Sequence, residues 1–288
     1  MDEHLRHFAE NGYAVIERAL SAEEVDWVNA GIDADTAANP KEWEPGSRPG
    51  HVAVGCRAPE LMHRTDALDG LVHHPSVFPV VEEILGEGAL FSSLSFLRRE
   101  PCLVDAPDDI DDDPLCLSRQ WHREYSGIVE GADQNAYFAP GIQVIYYLDD
   151  VDETTHCTSI IPESVETKRG LPKTRGGSSW GKDALRIDDG ETAYVHPEKR
   201  RWMDSFGREG PRRIGRVDVH APAGSAVMFN LTNYHCGTIR KTGSIRRTVH
   251  VMYRQPDPEH SQHALGPDWK SVAAFQSALP ERDGVRTR

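Results

Sequence analysis

Cysteine is scarce in this sequence and follows no pattern. The five residues Cys56, Cys102, Cys116, Cys157 and Cys236 are odd in number and include no Cys-x-x-Cys pair. That excludes a disulfide framework and a zinc knuckle, so we read all five as reduced thiols and Cys236 as a small buried side chain. Positive charge is also in deficit. The 32 basic residues against 46 acidic ones leave a net charge of −14, a sign that repels phosphate backbones and anionic membranes. Nucleic acid is thereby set aside as a partner. No stretch approaches the roughly 18 apolar residues of a membrane span, and the opening Met1-Asp2-Glu3-His4-Leu5 has neither the charge nor the apolar run of a signal peptide. The expectation is a cytoplasmic protein, a monomer or small homo-oligomer, acting on a small molecule and not on a membrane.

Several catalytic signatures are missing too. There is no Gly-x-Ser-x-Gly elbow and no P-loop, and the glycines at 176–181 lack the lysine and hydroxyl context of a phosphate cradle. The His-Glu-x-x-His helix of a zinc hydrolase is absent as well.

What is present runs from helices to strands within one expected unit, residues 1–288. Leu5 to Asn11 reads as a short helix closed by Gly12, followed by a β-branched strand to Ile16. Ser21-Ala22-Glu23-Glu24 is a capping box ahead of Val25, Val28 and Ile32 at helical spacing, and a further helix is expected from Pro75 to Leu85. Residues 36–60 are rich in proline and glycine and read as loop. After Gly88 short strands take over: from Ala89 to Leu97, Ser118 to Glu124, Gly141 to Leu148, Val217 to His220, Ala226 to Leu231 and Arg246 to Tyr253. The acidic segment 104–113 reads as a solvated loop, and the polar tract 164–216 as a long cover or lid inserted into the domain. A short helix is expected around Val272 to Leu279.

Two histidines and a carboxylate on one face of a metal leave the other positions open for co-substrate and O2, the arrangement of a non-haem iron(II) oxygenase. On a strand, residues i and i+2 point the same way, so His-x-Glu delivers two such ligands from one short segment. His122-Arg123-Glu124 has that spacing. With 14 histidines and 46 acidic residues, about two such matches arise by chance, and the second is His196-Pro197-Glu198. Pro197 removes a ladder donor, which makes a central strand there a poor fit. Further on come the strand from Gly141, Ile160-Ile161-Pro162, a Pro222-Ala223-Gly224 turn leading to His235, and Arg246 eleven residues after that histidine.

In that order, from the segment Phe8 to Val25 through WHRE (121–124) and YYLDDVD (146–152) to HCGTIRKTGSIRRTVHVMYR (235–254), the chain resembles the phytanoyl-CoA dioxygenase family over roughly residues 5 to 255. The resemblance implies a mainly β fold with flanking helices, a double-stranded β-helix of the jelly-roll or cupin-like kind. It implies His122, Glu124 and His235 as ligands to iron(II), and Arg246 as the group that holds the far carboxylate of 2-oxoglutarate. O2 would be the oxidant, with hydroxylation of a small organic substrate the default outcome and natural-product metabolism a setting. Desaturation, ring closure and epimerisation use the same chemistry. Halogenation is disfavoured, because related halogenases have a small residue where Glu124 stands.

Three positions depart from the family pattern. Its acid is usually Asp, its Pro-Gly-Ser-His turn reads here Pro162-Glu163-Ser164-Val165, and the serine often found two residues after the distal histidine is Gly237. The serine contact is therefore lost or supplied by Thr238. Gln120, Gln143 and Arg99 are further candidates for contact with the co-substrate or substrate, each with a structural role as the alternative. Strand alternation lets only one of Arg246 and Arg247 face the barrel interior, and the eleven-residue spacing selects Arg246. Two other readings stand beside the oxygenase: a catalytically silent β-helix domain that binds a ligand, and a cupin-like, metal-dependent isomerase.

Overall fold

A computed structural model describes residues 2–43, 64–87, 89–103, 124, 137, 139–160, 162, 185–188, 192–195, 217–233, 235–238 and 240–255. Helix α1 (Asp2–Asn11) stops at Gly12, whose φ of 73° is open to glycine at no steric cost and whose N–H bonds the Phe8 carbonyl at 2.7 Å. Strand β1 (Tyr13–Ile16) follows directly. Helix α2 (Ala22–Ala38) opens on the expected capping box: the Glu24 N–H donates to Ser21 Oγ at 3.2 Å, and the Ser21 N–H donates to Glu24 Oε2 at 2.7 Å. It runs further than the sequence suggested, two residues past Thr36, and a 3-10 turn at Pro40–Trp43 follows. Two shorter helices, α3 (Asp69–Val72) and α4 (Phe78–Leu85), complete the helical layer.

The remainder is antiparallel sheet. Strands β2 (Leu90–Arg99), β3 (Gly141–Tyr147), β8 (Ala226–Asn230) and β10 (Arg246–Arg254) join β1 in a five-stranded sheet of order β1-β8-β3-β10-β2. Strands β4 (Thr158–Ile160), β7 (Val217–Val219) and β9 (His235–Gly237) form a second sheet of order β7-β4-β9. Consecutive neighbours in these sheets are far apart in sequence, which is the wrapped order of a double-stranded β-helix.

Period-two alternation splits the large sheet into two faces. Val144, Tyr146, Met228, Val249, Val251 and Tyr253 pack outward on the helices, against Val28, Leu71, Val72 and Val81. Ile145, Tyr147, Val227 and Phe229 point inward and meet Cys157, Ile160 and Val219 of the small sheet. The outer contact is fixed by two tyrosine hydroxyls. Tyr146 donates to the Leu71 carbonyl at 2.9 Å and Tyr253 to the Val72 carbonyl at 2.7 Å, which satisfies two of the acceptors that the C-terminus of α3 leaves open.

The tract at 164–216 is described only in part. It contains a hairpin, β5 (Leu185–Asp188) paired with β6 (Thr192–Val195). The rest of that tract lies outside the described residues, as do segment 104–113, the strand expected from Ser118 except for Glu124, and the helix expected around Val272. Cys102, Cys157 and Cys236 are buried. No described helix is long and apolar enough to cross a membrane.

Candidate active site

β10 sorts its side chains between the two faces. Its inward set is Arg246, Thr248, His250 and Met252; across the ladders these stand opposite Arg99, Leu97, Ser95 and Ser93 of β2, and Thr248, His250 and Met252 stand opposite Tyr147, Ile145 and Gln143 of β3. Arg247 goes the other way. Its guanidinium pairs with Asp149 at 2.7 Å, and its backbone N–H bonds the same carboxylate at 2.7 Å. The structure thus buries Arg246 and leaves Arg247 in a surface ion pair, the orientation that alternation required.

His235 begins β9, and its setting is built by the turn before it. Asn233 Nδ2 donates to the carbonyls of Asn11 and Gly12 at 3.2 and 3.1 Å, tying that turn to the end of α1. The Asn233 carbonyl then accepts a bond from His235 Nδ1 at 3.1 Å. A carbonyl can only accept, so the proton of the neutral ring sits on Nδ1 and Nε2 carries the lone pair, the tautomer of a metal-binding histidine. Nε2 lies 3.6 Å from Glu124 Oε1, and the Phe229 ring, 4.4 Å away centre to centre, packs against the imidazole. His122 and Gln120 lie outside the described residues, as does the decoy His196.

Three polar side chains line the inward face beyond this pair. Gln143 Nε2 donates to His250 Nδ1 at 2.6 Å, His250 Nε2 donates to Thr248 Oγ1 at 3.0 Å, and Thr248 donates to the Leu97 carbonyl at 3.2 Å. This relay fixes the His250 tautomer. Burial, reinforced by the Arg246 charge, pushes the pKa of His250 down to about 3, so it is neutral at physiological pH. Arg246 is 2% exposed; among the described residues its Nε and Nη1 have no hydrogen-bond partner, and the same holds for Nε and Nη1 of Arg99 and for Gln143 Oε1. Burial lowers the pKa of both arginines, that of Arg99 to about 9, with Arg246 as its second cause. Buried polar atoms in native proteins are nearly always paired, so this concentration of orphans marks a place where a ligand belongs.

The sequence left the family's serine contact either lost or supplied by Thr238. Thr238 does not face this space with a free hydroxyl: Oγ1 accepts from the Cys157 N–H at 2.7 Å and donates toward the Cys157 carbonyl and thiol, both at 3.3 Å. Its only proton is committed to β4. Alternation along β9 turns Gly237, not Thr238, to the same side as His235. Sequence reasoning also passed over His250, although it lies four residues beyond Arg246 on the same strand and therefore on the same face.

A jelly-roll with a histidine, a carboxylate and a buried arginine on facing inner surfaces is the architecture of an iron-dependent oxygenase fold. The chain belongs to the phytanoyl-CoA dioxygenase (PhyH) family, which it matches over residues 8–248. Among solved structures it is similar to the non-haem alpha-ketoglutarate-dependent carbocyclase SnoK from nogalamycin biosynthesis, at 20% identity and a TM-score of 0.59, covering 89% of this chain and 85% of that one. The epimerase SnoN, solved with Fe3+, alpha-ketoglutarate and nogalamycin RO, is similar at 17% identity, TM-score 0.57 and coverage of 88% and 83%. HygX from Streptomyces hygroscopicus, solved with nickel and 2-oxoglutarate, gives 16% identity, TM-score 0.57 and coverage of 89% and 88%. No protein of curated function matches the sequence.

Proposed function

We propose that the chain is a non-haem iron(II), 2-oxoglutarate-dependent dioxygenase that oxidises an unactivated C–H bond of a small organic substrate in natural-product metabolism, with hydroxylation as the outcome. The observation that carries this reading is the pairing of a His235 Nε2 lone pair, turned toward Glu124, with a buried Arg246 guanidinium on the opposite inner surface, whose Nε and Nη1 have no hydrogen-bond partner among the described residues. The donor set fits the group: a neutral imidazole and a carboxylate suit iron(II), and the arginine fork suits a carboxylate. His235 and Glu124 would hold the metal together with His122, and Arg246 would hold the far carboxylate of 2-oxoglutarate. Bound iron supplies the activation of O2 that couples oxidative decarboxylation of 2-oxoglutarate to oxidation of the substrate.

The protein's own contribution is positional and electrostatic. Asn233 holds His235 in the metal-binding tautomer, and the Gln143–His250–Thr248 relay keeps a neutral imidazole beside a cation. Arg246, fixed on a central strand, sets how far the co-substrate reaches into the sheet. In this reading residues 1–288 act as one catalytic unit. The relatives solved with nogalamycin or hygromycin B support an elaborated natural product as the substrate class.

The test is succinate release by the purified protein as Fe(II), 2-oxoglutarate and O2 are each withheld in turn, with candidate substrates supplied. Succinate that depends on all three is the expected result. Conversion of a substrate without O2 or 2-oxoglutarate would replace the oxygenase with a metal-dependent isomerase. Failure to bind either iron(II) or 2-oxoglutarate would leave a silent ligand-binding domain.

A further inference from the structure

Arg246 stands directly opposite Arg99 in the β10–β2 ladder. Side chains so placed have Cβ atoms about 5 Å apart, and like charges there destabilise a sheet unless something neutralises them. Among the described residues nothing does. Nε and Nη1 of each guanidinium lack a partner; the charged or polar groups that act on Arg99 are Arg246, Cys236 and Cys157, and those that act on Arg246 are Tyr147, Cys157 and Cys236, with no described carboxylate among them. By contrast Arg98 and Arg247, the next pair along the same ladder, have Glu100 and Asp149 respectively.

A third residue explains how Arg99 fits. A Cβ built on Gly237 would lie 2.2 Å from Arg99 Nη2, 2.8 Å from Cζ and 3.0 Å from Nε, and these are its three nearest neighbours. Gly237 is not among the glycines with positive φ, so its backbone conformation is open to any residue. It is therefore not the turn of the chain but the volume of the Arg99 guanidinium that requires a glycine here, on the strand that carries His235.

We propose that Arg99 is the second arm of a two-arginine clamp that closes with Arg246 on a single carboxylate, and that Gly237 is the residue that admits it. The inference rests on the dioxygenase reading above and names the occupant as the distal carboxylate of 2-oxoglutarate. A planar fork from each of two adjacent strands gives that carboxylate more donors than one arginine supplies, and its charge neutralises a pair that is otherwise repulsive. The clamp also makes the site selective for a 2-oxo acid with an anionic far end.

The experiment titrates 2-oxoglutarate into the full-length, nickel-loaded protein by calorimetry, with 2-oxobutyrate, which lacks the distal carboxylate, as the control. Arg99→Gln is expected to weaken 2-oxoglutarate binding by about 10- to 100-fold and to leave the weak binding of 2-oxobutyrate unchanged. Gly237→Ala should reproduce that loss by displacing the flexible end of Arg99, and the double variant should be no worse than either single one. Thermal melting of the ligand-free protein supplies a readout of opposite sign: removing one of two repelling charges should raise the midpoint by about 1–3 °C in Arg99→Gln, where loss of a structural arginine would lower it. Normal 2-oxoglutarate affinity in Arg99→Gln, with Arg246→Gln crippled, overturns the second arm and leaves the dioxygenase reading standing. Normal affinity in both variants removes the reading itself. Equal losses with 2-oxobutyrate, or additive losses in the double variant, also overturn the clamp.

Discussion

The two faces of the five-stranded sheet come from the same strands one residue out of step, and they treat polar groups in opposite ways. On the outer face the buried hydroxyls of Tyr146 and Tyr253 each meet a carbonyl of α3, and Arg247 meets Asp149. On the inner face Arg246, Arg99 and Gln143 hold buried atoms with no hydrogen-bond partner among the described residues. Leaving a buried polar atom unpaired costs about 1–3 kcal/mol, so the proposed function assigns stability to the first face and the ligand to the second. Outer-face changes should then move stability and spare chemistry, and inner-face changes should do the reverse.

His235→Ala gives the sharpest separation. Turnover should fall by on the order of a thousand-fold or more, because a metal ligand is removed, while the fold persists, because β9 is paired to β4 through its backbone. Succinate release and a thermal melt, run together, check both halves; near-normal activity would move the metal away from His235.

The arginine pair comes next. Arg246→Ala should weaken 2-oxoglutarate binding by about 2 to 5 kcal/mol, or about 30-fold to several thousand-fold, through loss of a charge-assisted, two-bond contact in a desolvated site. Arg247→Ala removes a partly exposed ion pair and should cost only about 0.2–1 kcal/mol of stability, with co-substrate affinity intact. Calorimetric titration of both variants decides it. If Arg247→Ala proved the weaker binder, the two faces would have exchanged roles.

How much of this was legible beforehand follows from the length of each signal. The capping box at Ser21, the glycine stop at Gly12 and the strands β2, β3, β8 and β10 carry enough residues for their periodicity to show, and β10 is long enough for alternation to separate Arg246 from Arg247. β4 and β9 are three residues each, too short for a period of two to register, and the turn that places His235 is held by the bond from Asn233 to the Asn11 carbonyl, 222 residues away in sequence. The β5–β6 hairpin had its cue in Asp189-Gly190 between two alternating runs, but the surrounding polar tract outweighed it. Arg99 and Gly237 were each visible, one as a candidate and one as a departure. Their contact was not, because it depends on which strands neighbour which, and no local pattern encodes that.

The join between the two sheets supplies a pH test. His156 on the approach to β4 donates from Nε2 to the Glu100 carbonyl at 3.0 Å and accepts the Arg240 N–H on Nδ1 at 3.0 Å. A second proton would sit on Nδ1 and face that N–H, and burial lowers the pKa to about 4. The unfolded chain, with an ordinary value near 6.5, binds the proton first, so this residue leaves stability untouched above about pH 6.5 and erodes it as pH falls toward 4, by on the order of 3 kcal/mol. Urea midpoints measured from pH 7 to 4 should fall less steeply in His156→Gln than in the parent. Parallel curves would mean that the histidine is already charged in the fold.

The last effect, one of stability alone, is expected from Tyr253→Phe, and it probes the outer face at a fully buried hydroxyl. Tyr253 is fully enclosed, its ring packs at 5.8 Å from that of Phe78, and its hydroxyl is 2.7 Å from the Val72 carbonyl and 3.4 Å from that of Leu71. Phenylalanine keeps the ring and its packing, so the loss is confined to one hydrogen bond and to the carbonyl at the end of α3 that it leaves open, about 1–3 kcal/mol. Tyr146 still reaches the Leu71 carbonyl, which keeps α3 against the sheet and holds the loss within that range. Because Tyr253 and Arg246 sit on opposite faces of one strand, succinate release per folded molecule should match the parent while the urea midpoint drops. A fall in co-substrate affinity at unchanged stability would show that the helices govern the inner face through β10, and that the division of labour between the two faces is incomplete.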